Sequence, residues 1–160
     1  MTPHPRKRAR FRPDRIVSGG QTGVDRGALD AAIALGIAHG GWCPKGRKAE
    51  DGVIPPEYQL CENESPEYAT RTERNVLESD ATLILCRGEP TGGTALTLVF
   101  AQRHGRPHLV VDLGRASAAQ VRRWLARVRP ATLNVAGPRE SSAPGIAEQT
   151  RRWLIDLFRG

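Results

Sequence analysis

Short apolar runs alternate along the chain with longer segments whose apolar residues recur every three or four positions. The short runs predict strands at Arg15–Ser18, His39–Cys43, Ala81–Cys86, His108–Leu113 and Thr132–Ala136. The longer segments predict helices at Val24–Leu35, Pro66–Glu78, Gly93–Arg103, Ala118–Val128 and Ile146–Phe158. Ser117 and Gln120 have the spacing of a capping box, and Thr22 with Asp25 forms a similar pair at the first helix. Ile146, Trp153, Leu154, Leu157 and Phe158 share one helical face, which is expected to pack on the sheet or on a second subunit. Apolar strands separated by helices predict an α/β domain, with a mostly parallel sheet and helices on both faces, over residues 14–160. Residues 44–61 form the longest irregular stretch, and a loop of that length in a compact domain is usually functional or mobile.

In a sheet of this kind ligands sit outside the carboxyl ends of the strands, where three loops of this chain are expected to meet. The first, Gly19-Gly20-Gln21-Thr22-Gly23, joins a strand to a helix. Its backbone N–H groups and the positive end of the helix dipole make it a candidate phosphate site, although it is neither G-x-G-x-x-G nor a Walker A loop. The second loop contains Arg87 and ends in Gly92-Gly93-Thr94; the third, after Thr132–Ala136, carries Arg139 and Ser141. Arginine suits bidentate phosphate binding. Arg71, Arg74 and Asn75 share a helical face that either points into the crevice or is solvated beside Glu73 and Glu78. Lys45, Arg47 and Lys48 are either a lid over the ligand or a solvated run. Asp25 either caps its own helix or binds a sugar hydroxyl. His39, His104 and His108 have no metal-ligand spacing, His104 and His108 read as surface or capping residues, and no Ser/His/Asp set is evident.

Composition narrows the classes. No apolar run approaches the ~20 residues of a membrane span, and no secretory signal is evident, so the expected setting is cytoplasmic with no membrane partner. Cys43, Cys61 and Cys86 are too few and too scattered for a disulfide framework or a zinc site, which fits a reducing compartment. The formal net charge of +7 is uneven: residues 1–12 carry five basic groups and no acid, residues 13–102 eight basic and thirteen acidic, and residues 103–160 eleven and four. Residues 1–13 are expected to form a disordered, solubilising extension; the other reading is a contact with nucleic acid or acidic lipid.

Several blocks together resemble one family. Gly19-Gly20-Gln21-Thr22-Gly23-Val24-Asp25, residues 41–52 from Gly41-Trp42-Cys43 to Glu50-Asp51-Gly52, Arg71-Thr72-Glu73-Arg74-Asn75-Val76 and Gly92-Gly93-Thr94 are similar to the molybdenum carrier family. That family is also described as the circularly permuted YpsA branch of the SLOG superfamily. The resemblance spans roughly residues 14–156. It implies a Rossmann-like, oligomeric domain binding a nucleotide or nucleotide-derived ligand. Molybdenum cofactor is the alternative cargo, because molybdopterin also bears a phosphate, but no molybdenum-ligand signature is present. A more distant similarity is to lysine-decarboxylase-like phosphoribohydrolases, through Arg71 ahead of Ser79-Asp80-Ala81 and through the Gly92-Gly93-Thr94 motif. It implies cleavage of a nucleotide N-glycosidic or phosphate bond with Arg71 and Asp25 as candidate catalytic residues. Thr97 stands where those enzymes carry the glutamate, which counts against that mechanism.

Overall fold

The structure is a computed structural model that describes residues 10–159. Five strands form the main sheet: β1 (Arg15–Val17), β2 (Ala38–Gly40), β7 (Ala81–Cys86), β8 (His108–Asp112) and β9 (Thr132–Ala136). Four two-residue strands lie between them in the chain: β3 (Trp42–Cys43), β4 (Lys48–Ala49), β5 (Gly52–Val53) and β6 (Cys61–Glu62). The helices are α1 (Val24–Leu35), α2 (Tyr68–Leu77), α3 (Gly92–Arg103), α4 (Ala118–Val128) and α5 (Ile146–Phe158). The main sheet runs β2-β1-β9-β7-β8 with every pair parallel.

The expected architecture is present, and its layers follow from side-chain alternation. Every residue of β7 is buried, as a strand covered on both faces requires. Leu83 and Leu85 of β7 and Leu133 and Val135 of β9 join one cluster with Ile16, Ala28, Trp124, Leu125, Leu154 and Phe158, so α1, α4 and α5 cover that face. Val76, Phe100 and Ala101 form a separate cluster between α2 and α3 on the other face. Of the in-between residues on that second face, Asn134 donates through Nδ2 to Thr82 Oγ1 at 3.3 Å. The Rossmann-like layering is therefore complete on both sides.

Three local expectations change. The strand expected over His39–Cys43 breaks at Gly41, whose φ of +123° turns the chain and whose missing Cβ admits the Ser18 backbone. Only Ala38–Gly40 joins the main sheet; Trp42–Cys43 pairs with β6 instead. The stretch 44–61 is packed rather than irregular: β4 and β5 make an antiparallel hairpin, and Ala49, Ile54 and Tyr58 pack with Leu29 of α1 and with Cys43. Thr22 and Asp25 are not a capping pair, because Gly23 is the N-cap of α1 and no side chain caps it. The Ser117 capping bond is present, with its Oγ accepting from the Gln120 N–H at 3.3 Å.

Residues 10–13, expected to belong to the extension, lie against the domain. Arg10 Nη1 donates to the Asp156 and Arg159 carbonyls at 3.1 and 2.8 Å, Arg12 Nη2 donates to the Leu35 carbonyl at 2.6 Å, and Phe11 packs on the core. Residues 1–9 lie outside the described part, and so does the expectation for them. Ile146, Leu154, Leu157 and Phe158 of α5 are buried within the chain's own core.

Candidate anion-binding cavity

A cavity of about 430 Å³ opens at the carboxyl edge of β1, β9 and β7, where all three loops meet. Its lining includes Gly19, Gln21, Asp25, Arg71, Gly92, Gly93, Thr94, Arg139 and Ser141 among the expected residues. Tyr68, Asn75, Thr97, Asn134 and Ser142 also line it and were not singled out as ligand contacts. Gly20, Thr22, Gly23 and Lys45 do not line the cavity.

Each displaced residue has a structural task. Gly20 (φ +77°) leaves room for Leu60 and Ile54. A Cβ on Gly23 would strike the Pro138–Glu140 backbone, so this glycine lets the first and third loops touch. Thr22 Oγ1 donates to Glu50 and accepts from the Glu140 N–H at 3.1 Å. Lys45 is exposed, with its N–H on the Ser65 carbonyl at 2.9 Å.

The first loop is not an open phosphate cradle. The Asp25 carboxylate folds back and accepts from the Gln21 N–H at 3.2 Å and from the Gly19 N–H. Gln21 Oε1 accepts from the N–H groups of Thr22 and Glu50 at 3.1 and 2.9 Å, and Val24 N–H donates to the Pro138 carbonyl. An internal carboxylate and an internal amide therefore occupy the donors that a phosphate would use. The second loop is different. Thr91 gives α3 no side-chain cap, and the Gly92 and Gly93 N–H groups have no acceptor among the described residues. Nothing stands within 4 Å of where a Cβ on Gly92 or Gly93 would point, so the positive end of α3 faces open space.

Arg71 reaches the cavity from α2. It is 8% exposed, yet among the described residues its guanidinium makes one hydrogen bond, Nη1 to Thr72 Oγ1 at 2.6 Å. Nη2 stands 4.0 Å from Asp25 Oδ2, and Nε is buried without an acceptor. Gly19 is required here by the arginine: its Cβ would fall 2.5 Å from Arg71 Nε. Asp25 is 5% exposed and is the one carboxylate lining the cavity. Burial pushes its pKa up to about 6 against the opposing pull of Arg71, and burial likewise lowers that of Arg71. Desolvation thus outweighs a mutual attraction at 4.0 Å.

The rim is basic. Lys48 Nζ lies 4.4 Å from the centre of the Tyr68 ring, and the guanidinium carbons of Arg71 and Arg139 lie 5.4 and 5.6 Å from it. Glu50 pins the rim from the β4–β5 hairpin. It accepts from the Ser141 N–H at 3.2 Å and from Ser141 Oγ at 2.5 Å, stands 3.9 Å from Arg139, and is held below the usual carboxylate range chiefly by the Ser141 and Thr22 hydroxyls. Arg47 is turned inward onto the carbonyls of Ile54, Pro55 and Tyr58, so it is a staple of this segment rather than part of a lid. Asn75 clamps Trp42 by two backbone bonds of 2.8 and 2.9 Å, and Arg74 stacks on the Trp42 ring away from the crevice. His104 and His108 lie away from the cavity, against Glu73 and the Arg106 carbonyl.

Residues 16–158 match the family described as circularly permutated YpsA SLOG. The chain belongs to that family. Among solved structures, the SLOG chain is similar to "Putative molybdenum carrier protein" from Syntrophus aciditrophicus, at 44% identity and a TM-score of 0.90. The match covers 94% of this chain and 98% of that one. No curated protein matches. No helix among the described residues is long and apolar enough to cross a membrane.

Proposed function

We propose that this SLOG domain binds a phosphorylated, nucleotide-derived small molecule at the carboxyl edge of its sheet and holds it as a binding or carrier protein. Arg71 carries the reading. A guanidinium that is 8% exposed, with one hydrogen bond and its paired carboxylate no nearer than 4.0 Å, sits beside a cavity large enough for a ligand. A buried cation this poorly satisfied is expensive unless an anion completes it. The phosphate goes to the N-terminus of α3, onto the free N–H groups of Gly92 and Gly93, with Thr94, Ser141 and Arg139 beside it and Arg71 behind. Gly19, Gln21 and Asp25 form the wall that meets the rest of the ligand. A cavity of about 430 Å³ falls in the ordinary size range of small-molecule sites.

The structural neighbour is named a molybdenum carrier, and molybdenum cofactor, whose pterin bears a phosphate, is the alternative cargo. No cluster of three His, Cys, Asp or Glu suited to a metal exists among the described residues, so this chain's groups fit the phosphate and organic part of such a cargo rather than the metal. The raised pKa of Asp25 beside Arg71 favours a second reading, hydrolysis of a nucleotide N-glycosidic or phosphate bond with these two residues in the site. The family resemblance further implies a homo-oligomer, and the scattered cysteines fit a cytoplasmic setting.

Native mass spectrometry of freshly purified protein, followed by mass analysis of the released ligand, tests the reading. A phosphate-bearing mass present in the wild type and missing from Gly93→Asp supports it. A pterin phosphate with molybdenum would select the alternative cargo, and turnover of AMP-like or ADP-ribose-like compounds lost in Arg71→Ala would select the hydrolase. A retained mass without phosphate overturns all three.

A further inference from the structure

A second concavity, also of about 430 Å³, lies at the opposite edge of the sheet, below the amino ends of β1 and β9. Arg10, Phe11, Arg12, Asp14, Arg129 and Pro130 line it. It joins two parts of the chain that are far apart in sequence and share one property. Residues 1–13 carry five basic side chains and no acid, and residues 113–139, which contain α4, carry six arginines and no acid.

The fold brings residues 10–14 of the first part against α4 of the second. Arg10 Nη1 and Arg122 Nη2 both donate to the Asp156 carbonyl, at 3.1 and 3.4 Å, so the guanidinium groups of the N-terminal segment and of α4 crowd one main-chain oxygen. Arg129, at the left-handed end of α4 (φ +49°), lies over the Phe11 ring with its guanidinium carbon 5.1 Å from the centroid. Arg122 lies on α4 and Arg129 caps its carboxyl end, while Arg123 and Arg127 stand exposed one turn apart between them. None of Arg10, Arg12, Arg122, Arg123, Arg127 and Arg129 forms an ion pair among the described residues, and Asp14 is the one carboxylate of the concavity. Like charges held this close with a single carboxylate among them repel one another, and bound phosphates relieve that repulsion.

We propose that this face binds a nucleic-acid strand through its phosphates, with α4 and residues 10–14 acting as one composite surface. The spread of the charge favours a repeating anion over a single phosphate: the 11 residues of α4 span about 16 Å, several phosphate spacings along a strand. A lipid surface would call for apolar side chains among the arginines, but among the described residues the exposed large hydrophobics are Ile33, Val53, Leu77 and Val99, none of them on α4 or residues 10–14. The apolar residues Val121, Trp124 and Leu125 of α4 all face inward. Contacts to phosphates carry no sequence information, so the binding is expected to be sequence-independent.

The test uses the full chain and a fluorescent 20-nucleotide single strand, titrated between 50 and 200 mM salt. Five contacted phosphates would give a log K against log salt slope of about −3.5. Arg123→Glu/Arg127→Glu, both exposed and outside the packed core, is expected to weaken binding at least tenfold and flatten the slope; removing residues 1–9 is expected to weaken it as well. Thermal unfolding of each variant confirms that the fold is retained. Absence of binding at 50 mM salt overturns the proposal. So does an effect confined to the deletion, which would assign binding to the N-terminal extension alone, and so does equal affinity for vesicles of acidic phospholipid, which would make the face a membrane contact.

Discussion

Asp25→Asn isolates the energy stored at the cavity. The Asp25 carboxyl is buried, and its pKa rises from 3.8 to about 6 even with Arg71 at 4.0 Å. Between these two values the native protein holds a proton that the unfolded chain has released, so stability falls as pH rises through this window. A shift of this size corresponds to about 3 kcal/mol, present in full below pH 3.8 and lost by the time the pH passes 6. The attraction of Arg71 is already included in that figure. Asparagine has the shape of the protonated acid and does not titrate. Asp25→Asn should therefore match the wild type near pH 4 and exceed it by about 3 kcal/mol at pH 8. Urea unfolding at half-unit steps from pH 4 to 8, analysed as the difference between the two proteins, removes every titration they share. A difference that stays flat across this range would refute the assignment of a desolvated carboxylate to the cavity. The gain also has a functional sense: a site whose charges are unsatisfied before ligand binds is less stable than it need be.

Other outcomes follow from the same geometry. Arg139→Ala removes a rim cation and should weaken retention of the co-purified ligand by about 10- to 100-fold, the range of a charge-assisted contact, with less loss at high salt; a salt-independent loss would argue against a phosphate contact. Gly23→Ala should destabilise the fold by at least about 1–3 kcal/mol from its positive φ alone, whereas Gly93→Ala, which meets nothing within 4 Å, should leave the unfolding midpoint nearly unchanged. Glu50→Gln should raise amide exchange across residues 48–53, because the hairpin loses the carboxylate that holds Thr22 and Ser141. In the wild type the depressed pKa of Glu50 keeps the same links intact above pH 4.5, and they fail as pH falls further, through its lower folded-state value, so protection of those amides should fall in acid.

The main sheet and its helices were legible because their signal is long and apolar: β7 reads as six buried residues in a row, and the 12 residues of α1 carry helical periodicity throughout. The two-residue strands β3 to β6 were not legible. Lys48, Gly52 and Glu62 carry no strand signal, and these strands exist through pairing with distant residues, such as Trp42 with Cys61. The site was half legible. Which loops converge follows from parallel topology, and Arg71, Arg139 and the Gly92–Thr94 turn were read from residue type. The first loop was misread because glycine and a helix start announce free N–H groups but do not reveal what accepts from them. Asp25, four residues beyond Gln21, was the available clue: a carboxylate in the first turn of a helix can reach back to the loop before it. Tyr68 and Asn134 carried no motif, and only the packing of α2 and β9 brings them to the cavity.

The place of β9 has a consequence for how the chain acquires its shape. Residues 132–136 insert between β1 and β7, which have no direct pairing with each other. Without them the half-sheets β2-β1 and β7-β8 have no partner along their inner edges and nothing to set their register against each other. Closure depends on contacts more than 110 residues apart, such as Ile16 with Leu133. Such long-range closure is slow, and the half-sheets it leaves waiting are templates for mispairing between chains. Emergence of β9 from the ribosome is thus the event that ends this vulnerable interval, and chains stalled before residue 132 should be strong clients for chaperones.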